Sequence, residues 1–153
     1  MAWDWELLAG PATITEGPAW DGAGLVFTSI DDDEIRRFDP ATGTIATVYR
    51  DARAANGLAF GPDGALYACE GAGSPIGKTG GRAVVRYDAN GRRDVLIDRF
   101  EGRRLNSPND LALDRAGGVW FTDPRYGEPF DRELDHASVY RIAPPNDGAG
   151  AGD

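Results

Sequence analysis

The segment NGLAFGPDGALYACE, Asn56 to Glu70, decides the fold. A short apolar run leads into Gly61-Pro62-Asp63-Gly64, and a second apolar run leaves it. Proline presets φ and glycine accepts a positive φ, so the tetrapeptide is a tight turn and the whole segment reads as a β-hairpin. The same pattern stands upstream as EGPAWDGAGLVFTSI, Glu16 to Ile30, and downstream as NDLALDRAGGVWFTD, Asn109 to Asp123, with no gap needed to align the three. Self-similarity at a spacing of roughly 40 to 50 residues marks a repeat architecture.

A second element recurs between the hairpins. It reads Ile35-Arg36-Arg37-Phe38-Asp39, then Val84-Val85-Arg86-Tyr87-Asp88, then Val139-Tyr140-Arg141-Ile142. After the first two come a turn and another short strand, Ile45 to Tyr49 and Asp94 to Ile97. One unit is therefore about four strands, the make-up of a β-propeller blade. The expected fold is all-β, a β-propeller of about three blades. Blade 1 covers about 11–50, blade 2 about 51–102 and blade 3 about 103–145, with 146–153 a cut loop. A propeller typically closes with four to eight blades, so the expectation is a truncated chain. A ring shared by several copies is the alternative.

Composition agrees. Among 153 residues there are 21 glycines and 10 prolines, placed between short apolar runs as an all-β chain with many turns requires. The net charge of −9 disfavours binding to phosphate backbones, so no nucleic-acid partner is expected. No apolar run is long enough for a membrane helix, and the N-terminus lacks a basic region before an apolar one. A cytoplasmic protein without membrane partners is expected. The single cysteine, Cys69, rules out an internal disulfide or a multi-cysteine metal site and reads as a small buried hydrophobe.

The three hairpins open on Glu16, Asn56 and Asn109. Equivalent positions of successive blades are related by rotation about the channel axis, so their side chains can converge. One carboxylate and two carboxamides are oxygen donors that suit a hard cation such as Ca²⁺. Turn chemistry accounts equally well for Asn56, which sits in an Asn-Gly pair, but poorly for Glu16. Glu70 and Asp123 end the second strands at equivalent positions, as channel-lining groups or as strand caps. Ser107 reads as a turn residue close to the site. Arg125 and Tyr126 lie on a loop where a substrate could be met. His136 reads as a solvated loop residue, and the pairs Arg92-Arg93 and Arg103-Arg104 as solvated charges.

Taken together, EGPAW from Glu16, RLNSPND from Arg104 and WFTDPRYG from Trp120 resemble the gluconolactonase, regucalcin (senescence marker protein) and luciferin-regenerating-enzyme family. The likeness runs from about Glu16 to Ile142. It implies a six-bladed propeller, of which this chain would be the N-terminal half, and one divalent cation in the channel. Ca²⁺ is the expected ion, with Zn²⁺, Mg²⁺ or Mn²⁺ as alternatives. It also implies metal-dependent hydrolysis of a sugar lactone, a carboxylic ester. Glu16 matches a metal ligand of the family. Asn109 matches an Asn at the metal or its bound substrate. Asn56 has no counterpart among the direct ligands and is expected only to line the channel, with Glu70, Ser107, Asp123 and Arg125.

The family's further Asn ligand and its Asp, both ligand and general base, would lie beyond Asp153. No catalytic residue is therefore expected within the chain, and the isolated fragment should bind metal poorly and hydrolyse nothing. The missing C-terminal blades would be its partner. No Gly-x-Ser-x-Gly elbow is present, which leaves a serine-esterase route unsupported. The rival readings are an organophosphate-type hydrolase on the same propeller and a non-catalytic calcium-binding or interaction propeller.

Overall fold

The structure, a computed structural model, describes residues 3–8, 10, 14–73, 79–126 and 131–144. The cut loop expected at 146–153 lies outside the described residues. All regular structure among the described residues is β. The first sheet holds β1 (Thr15–Trp20), β2 (Leu25–Ser29), β3 (Glu34–Asp39) and β4 (Thr44–Arg50) in that order. The second holds β5 (Ala55–Phe60), β6 (Leu66–Glu70), β7 (Ala83–Tyr87) and β8 (Arg93–Ile97). A small hairpin follows, β9 (Arg99–Phe100) with β10 (Arg103–Arg104). The third sheet holds β11 (Leu111–Leu113), β12 (Val119–Asp123) and β13 (Ser138–Ile142). Every pairing is antiparallel.

The first strands of the sheets lie side by side, β1 against β5 and β5 against β11. From this line the sheets fan outward as blades do. Two cores fill the space between them. Ala19, Val26 and Ile35 of the first sheet meet Leu58, Leu66, Ala68 and Val85 of the second. Cys69 and Val84, next in chain to Ala68 and Val85, point the other way and pack with Leu111, Val119 and Phe121 of the third. The middle sheet is thus covered on both faces, which explains its nearly continuous apolar strands. The outer sheets are covered on one face only. Trp20 stays 58% exposed and Trp120 46% exposed.

Each hairpin is closed by an aspartate of its turn. Asp21 Oδ1 accepts from Ala23 N at 2.8 Å and Gly24 N at 2.6 Å. Asp63 Oδ1 accepts from Ala65 N at 3.1 Å. Asp114 Oδ1 accepts from Ala116 N at 2.9 Å and Gly118 N at 2.8 Å. The second oxygen of each reaches the third strand of its own sheet. Arg37 meets Asp21 at 2.5 Å, Arg86 meets Asp63 at 2.6 Å and Arg141 meets Asp114 at 3.0 Å. One carboxylate therefore sets the turn and ties β2 or its equivalent between two neighbours. The arginines recur once in each hairpin repeat.

The sheets approach closely where the first strands meet. A Cβ on Gly17 would lie 2.1 Å from the Asn56 carbonyl oxygen. A Cβ on Gly57 would lie 2.6 Å from Asp110 Cα and 2.8 Å from the Asn109 carbonyl oxygen. Both obstacles are backbone, so neither can swing aside. Hydrogen bonds close the same seams. Thr28 Oγ1 donates to the Asn56 carbonyl at 3.2 Å, and Gly57 N donates to the Asn109 carbonyl at 2.7 Å.

Two outcomes follow from these contacts. Gly57→Ala should cost about 3 kcal/mol by overpacking the seam, read from urea midpoints; an unchanged midpoint would remove this contact as a constraint on the fold. The Arg37 guanidinium, with help from the turn amides, holds the Asp21 carboxyl down at about 2, from an ordinary 3.8. A depressed carboxyl stabilises the fold above its unfolded value, and that contribution is lost as pH falls from about 4 to about 2. Asp21→Asn should lower the melting temperature by roughly 2–4 °C at neutral pH. The gap between variant and parent should close at pH 2, as thermal melts across the range will show.

Candidate functional site

The pairing of the first strand with the second is interrupted in both complete sheets. In β1 the pairing with β2 shifts between Glu16 and Ala19. In β5 the pairing with β6 shifts between Ala55 and Leu58. Asn56-Gly57 thus sit in the bulge of β5, whereas in β1 the bulge falls on Gly17-Pro18 and Glu16 stays paired with Thr28 just before it; a bulge re-aims the side chains at and beside it. In the third sheet, Asn109-Asp110 precede β11. Asn109 N donates to the Thr122 carbonyl at 2.9 Å, and Thr122 N donates to the Asp110 carbonyl at 3.0 Å. With Gly57 N on its own carbonyl, the Asn109 main chain is held from two sheets.

Glu16 of β1, Asn56 of β5 and Asn109, just before β11, therefore follow one another along the line where the sheets adjoin. Glu16 is exposed, and Asn56 and Asn109 are half-buried. Their side chains make no hydrogen bond or ion pair among the described residues. The donor set fits a hard cation in type, one carboxylate with two amide oxygens. It contains one charged donor. Among the described residues, no group of three or more His, Cys, Asp or Glu is arranged to hold a metal.

The other residues singled out by sequence take different places. Glu70 is fully buried, and Arg93 clasps both its oxygens at 2.6 Å. Gly81 presses on this carboxylate so closely that a Cβ there would fall 1.7 Å from Oε2. Asp123, at the equivalent position, is also fully buried, with Oδ2 accepting from Asn106 N at 2.9 Å and Oδ1 from Ser107 N at 2.7 Å. Burial pushes the Asp123 carboxyl above its ordinary value, and the two amides oppose that rise. Ser107 is 4% exposed, and its Oγ accepts from Ala72 N at 2.9 Å. Arg125 is half-buried and donates to the Tyr126 carbonyl at 2.7 Å. His136 stays exposed with Ser138 Oγ at 2.7 Å from Nδ1. Burial keeps the Cys69 thiol protonated by pushing its pKa up.

Two expectations are corrected. Arg92-Arg93 and Arg103-Arg104 are not simply solvated pairs. Arg93 is committed to Glu70. Arg104 bridges Asp131 at 3.0 Å and Glu133 at 2.6 Å, and Arg82 joins the same Asp131. This network fastens the segment before β13 to β10. It borders a cavity of about 270 Å³ lined by Arg82, Arg99, Arg104, Asp98 and Asp131. Sequence reasoning missed these partners because each arginine finds its acid across 23 to 49 residues of chain.

Among the described residues, no helix is long and apolar enough to cross a membrane.

Comparison with known proteins matches residues 14–149 to the family model described as "SMP-30/Gluconolactonase/LRE-like region". A gluconolactonase of Zymomonas mobilis is 30% identical over 159 aligned positions, covering 91% of this chain and 42% of that protein. The solved structure of a gluconolactonase from Xanthomonas campestris is 37% identical with a TM-score of 0.78, covering 90% of this chain and 46% of that one. A calcium-binding protein, regucalcin, from Agrobacterium tumefaciens shares the fold with a TM-score of 0.64 at 18% identity, across 89% of this chain and 42% of that one. The chain spans less than half the length of these relatives. The bulged hairpins, the fanned sheets and the family match over residues 14–149 agree: the chain is a β-propeller-type member of the SMP-30/gluconolactonase/LRE-like family.

Proposed function

We propose that this chain is the N-terminal half of a six-bladed, cation-dependent hydrolase of sugar lactones. What supports this reading is that Glu16, Asn56 and Asn109 follow one another along the line of adjoining first strands, with side chains that make no hydrogen bond or ion pair among the described residues. The gluconolactonase relatives support the substrate class. In this reading Glu16 and Asn109 are ligands, and Asn56 lines the channel beside them. Ca²⁺ is the proposed ion because all three donors are oxygens. When bound, such an ion polarises the lactone carbonyl and offsets the negative charge that grows on its oxygen.

The chain's own residues prepare that step. The bulge in β5 releases Asn56 from the ladder, and the bulge in β1 begins directly after Glu16. The two-sided grip on the Asn109 main chain fixes the third donor. Hydrolysis needs a base to take a proton from water. Glu16 is assigned to the cation, and the base is proposed to come from the remaining blades. Those blades would also cover the open faces bearing Trp20 and Trp120. The setting proposed is cytoplasmic.

Calorimetric titration of the isolated chain with Ca²⁺ should show binding weaker than micromolar, and the chain should leave gluconolactone unhydrolysed. Micromolar binding would overturn the claim that further ligands lie elsewhere. In the full-length protein, Glu16→Gln should weaken Ca²⁺ binding at least tenfold, since it removes the charged donor while keeping its shape. Unchanged affinity would take Glu16 out of the ligand set. Turnover of a fluorophosphate in preference to gluconolactone would replace the lactonase reading with the organophosphate one.

A further inference from the structure

The carboxylate of Asp123, at the end of β12, is fully buried. Its oxygens take the amide protons of Asn106 and Ser107, two successive residues at the bend of the RLNSPND segment. The bend is also held by side chains. Asn106 Nδ2 donates to the His136 carbonyl at 2.8 Å, and Ser107 Oγ receives Ala72 N at 2.9 Å. Two residues further on lies Asn109, whose main chain is pinned by Thr122, the neighbour of Asp123. Thr122 Oγ1 also accepts from Asp110 N at 3.2 Å. Thr122 and Asp123 together thus hold both ends of the segment from Asn106 to Asp110.

We propose that Asp123 is a positioning residue, whose buried carboxylate fixes the Asn106-Ser107 bend and thereby sets where the Asn109 side chain is presented. The assignment rests on the reading of Asn109 as a cation ligand. It gives Asp123 a role distinct from that of Glu70, its repeat equivalent, whose carboxylate is spent on Arg93. A carboxylate suits the task because it offers two acceptors and no donor to two converging N–H groups. A carboxamide turns one of those acceptors into a second donor facing an N–H. The Ser107 hydroxyl extends the arrangement to the second sheet by holding Ala72, next to Gly71.

The test uses the whole chain labelled with ¹⁵N, and Mn²⁺ as a paramagnetic probe that registers even weak binding. In the parent protein, Mn²⁺ should broaden the side-chain amide signals of Asn56 and Asn109. In Asp123→Asn, the main-chain signals of Asn106, Ser107 and Asn109 should shift, and Mn²⁺ broadening at Asn109 should fall roughly tenfold while that at Asn56 persists. A general loosening of the fold would lower both and reduce the melting temperature. Ser107→Ala cuts only the tie to Ala72 and should lower the broadening at Asn109 less than Asp123→Asn does.

A folded Asp123→Asn variant with Asn109 unmoved and fully broadened overturns the proposal. So does a Ser107→Ala variant that matches the loss at Asn109. Should Asp123→Asn not fold, scalar couplings across the hydrogen bonds, from the Asn106 and Ser107 nitrogens to the Asp123 carboxylate carbon, are measured in the parent. Their absence overturns the proposal. If Mn²⁺ broadens neither asparagine in the parent, the cation reading fails, and the main-chain shift of Asn109 in Asp123→Asn alone decides the positioning role.

Discussion

Three first strands lie closer together than side chains would permit, and the rest of the molecule is arranged around that fact. At Gly17 and Gly57 the neighbouring sheet's backbone occupies the volume a Cβ would need. Glycine is used here for close approach, and at Gly17 also for a φ of 56°. The contact sets how near the sheets can come at their inner edges. Side-chain volume sets how far apart they stand elsewhere, with Ala, Leu and Val filling the wedge between them. A fan of sheets results from this difference in spacing. The same dipeptides carry Glu16 and Asn56, so the seam that builds the fold also presents the donors.

The fold was legible in the sequence because its signals are local. Turn glycines, apolar alternation and a repeated hairpin need no knowledge of distant partners. The strands expected at Ile45–Tyr49 and Asp94–Ile97 appear as Thr44–Arg50 and Arg93–Ile97, differences of a residue at most at each end. The short hairpin Arg99–Phe100 with Arg103–Arg104 escaped notice because two-residue strands carry no periodicity. Charges were harder to place. Arg93 and Arg104 resemble solvated residues until their acids are known, and those acids arrive from elsewhere in the chain. The Asp21–Arg37, Asp63–Arg86 and Asp114–Arg141 ties could have been found, since both members recur once in each hairpin repeat.

Glu70 and Asp123 show how one repeat position diverges. Both carboxylates end a second strand and both are sealed from water. Such a group must be matched by donors or it destabilises the fold. In the second sheet the match is a guanidinium from β8. The third sheet has no described strand beyond β13, and main-chain amides supply the match from the segment leading into β11. Sequence alignment of the repeats shows the shared acid. Only the surroundings reveal that one acid braces a sheet while the other shapes a loop.

The four tryptophans of the chain, Trp3, Trp5, Trp20 and Trp120, all stand outside the two cores, with exposures from 46% to 92%. The indole of Trp120 is held by Asp114 at 3.0 Å and lies beneath the Arg141 guanidinium, 5.5 Å from the ring centroid. Intrinsic fluorescence of this protein therefore views its outer surfaces. The doubly covered middle sheet contains tyrosine but no tryptophan. An emission change on adding any partner reports the covering of an outer face, and an unchanged spectrum during denaturation does not mean an intact centre.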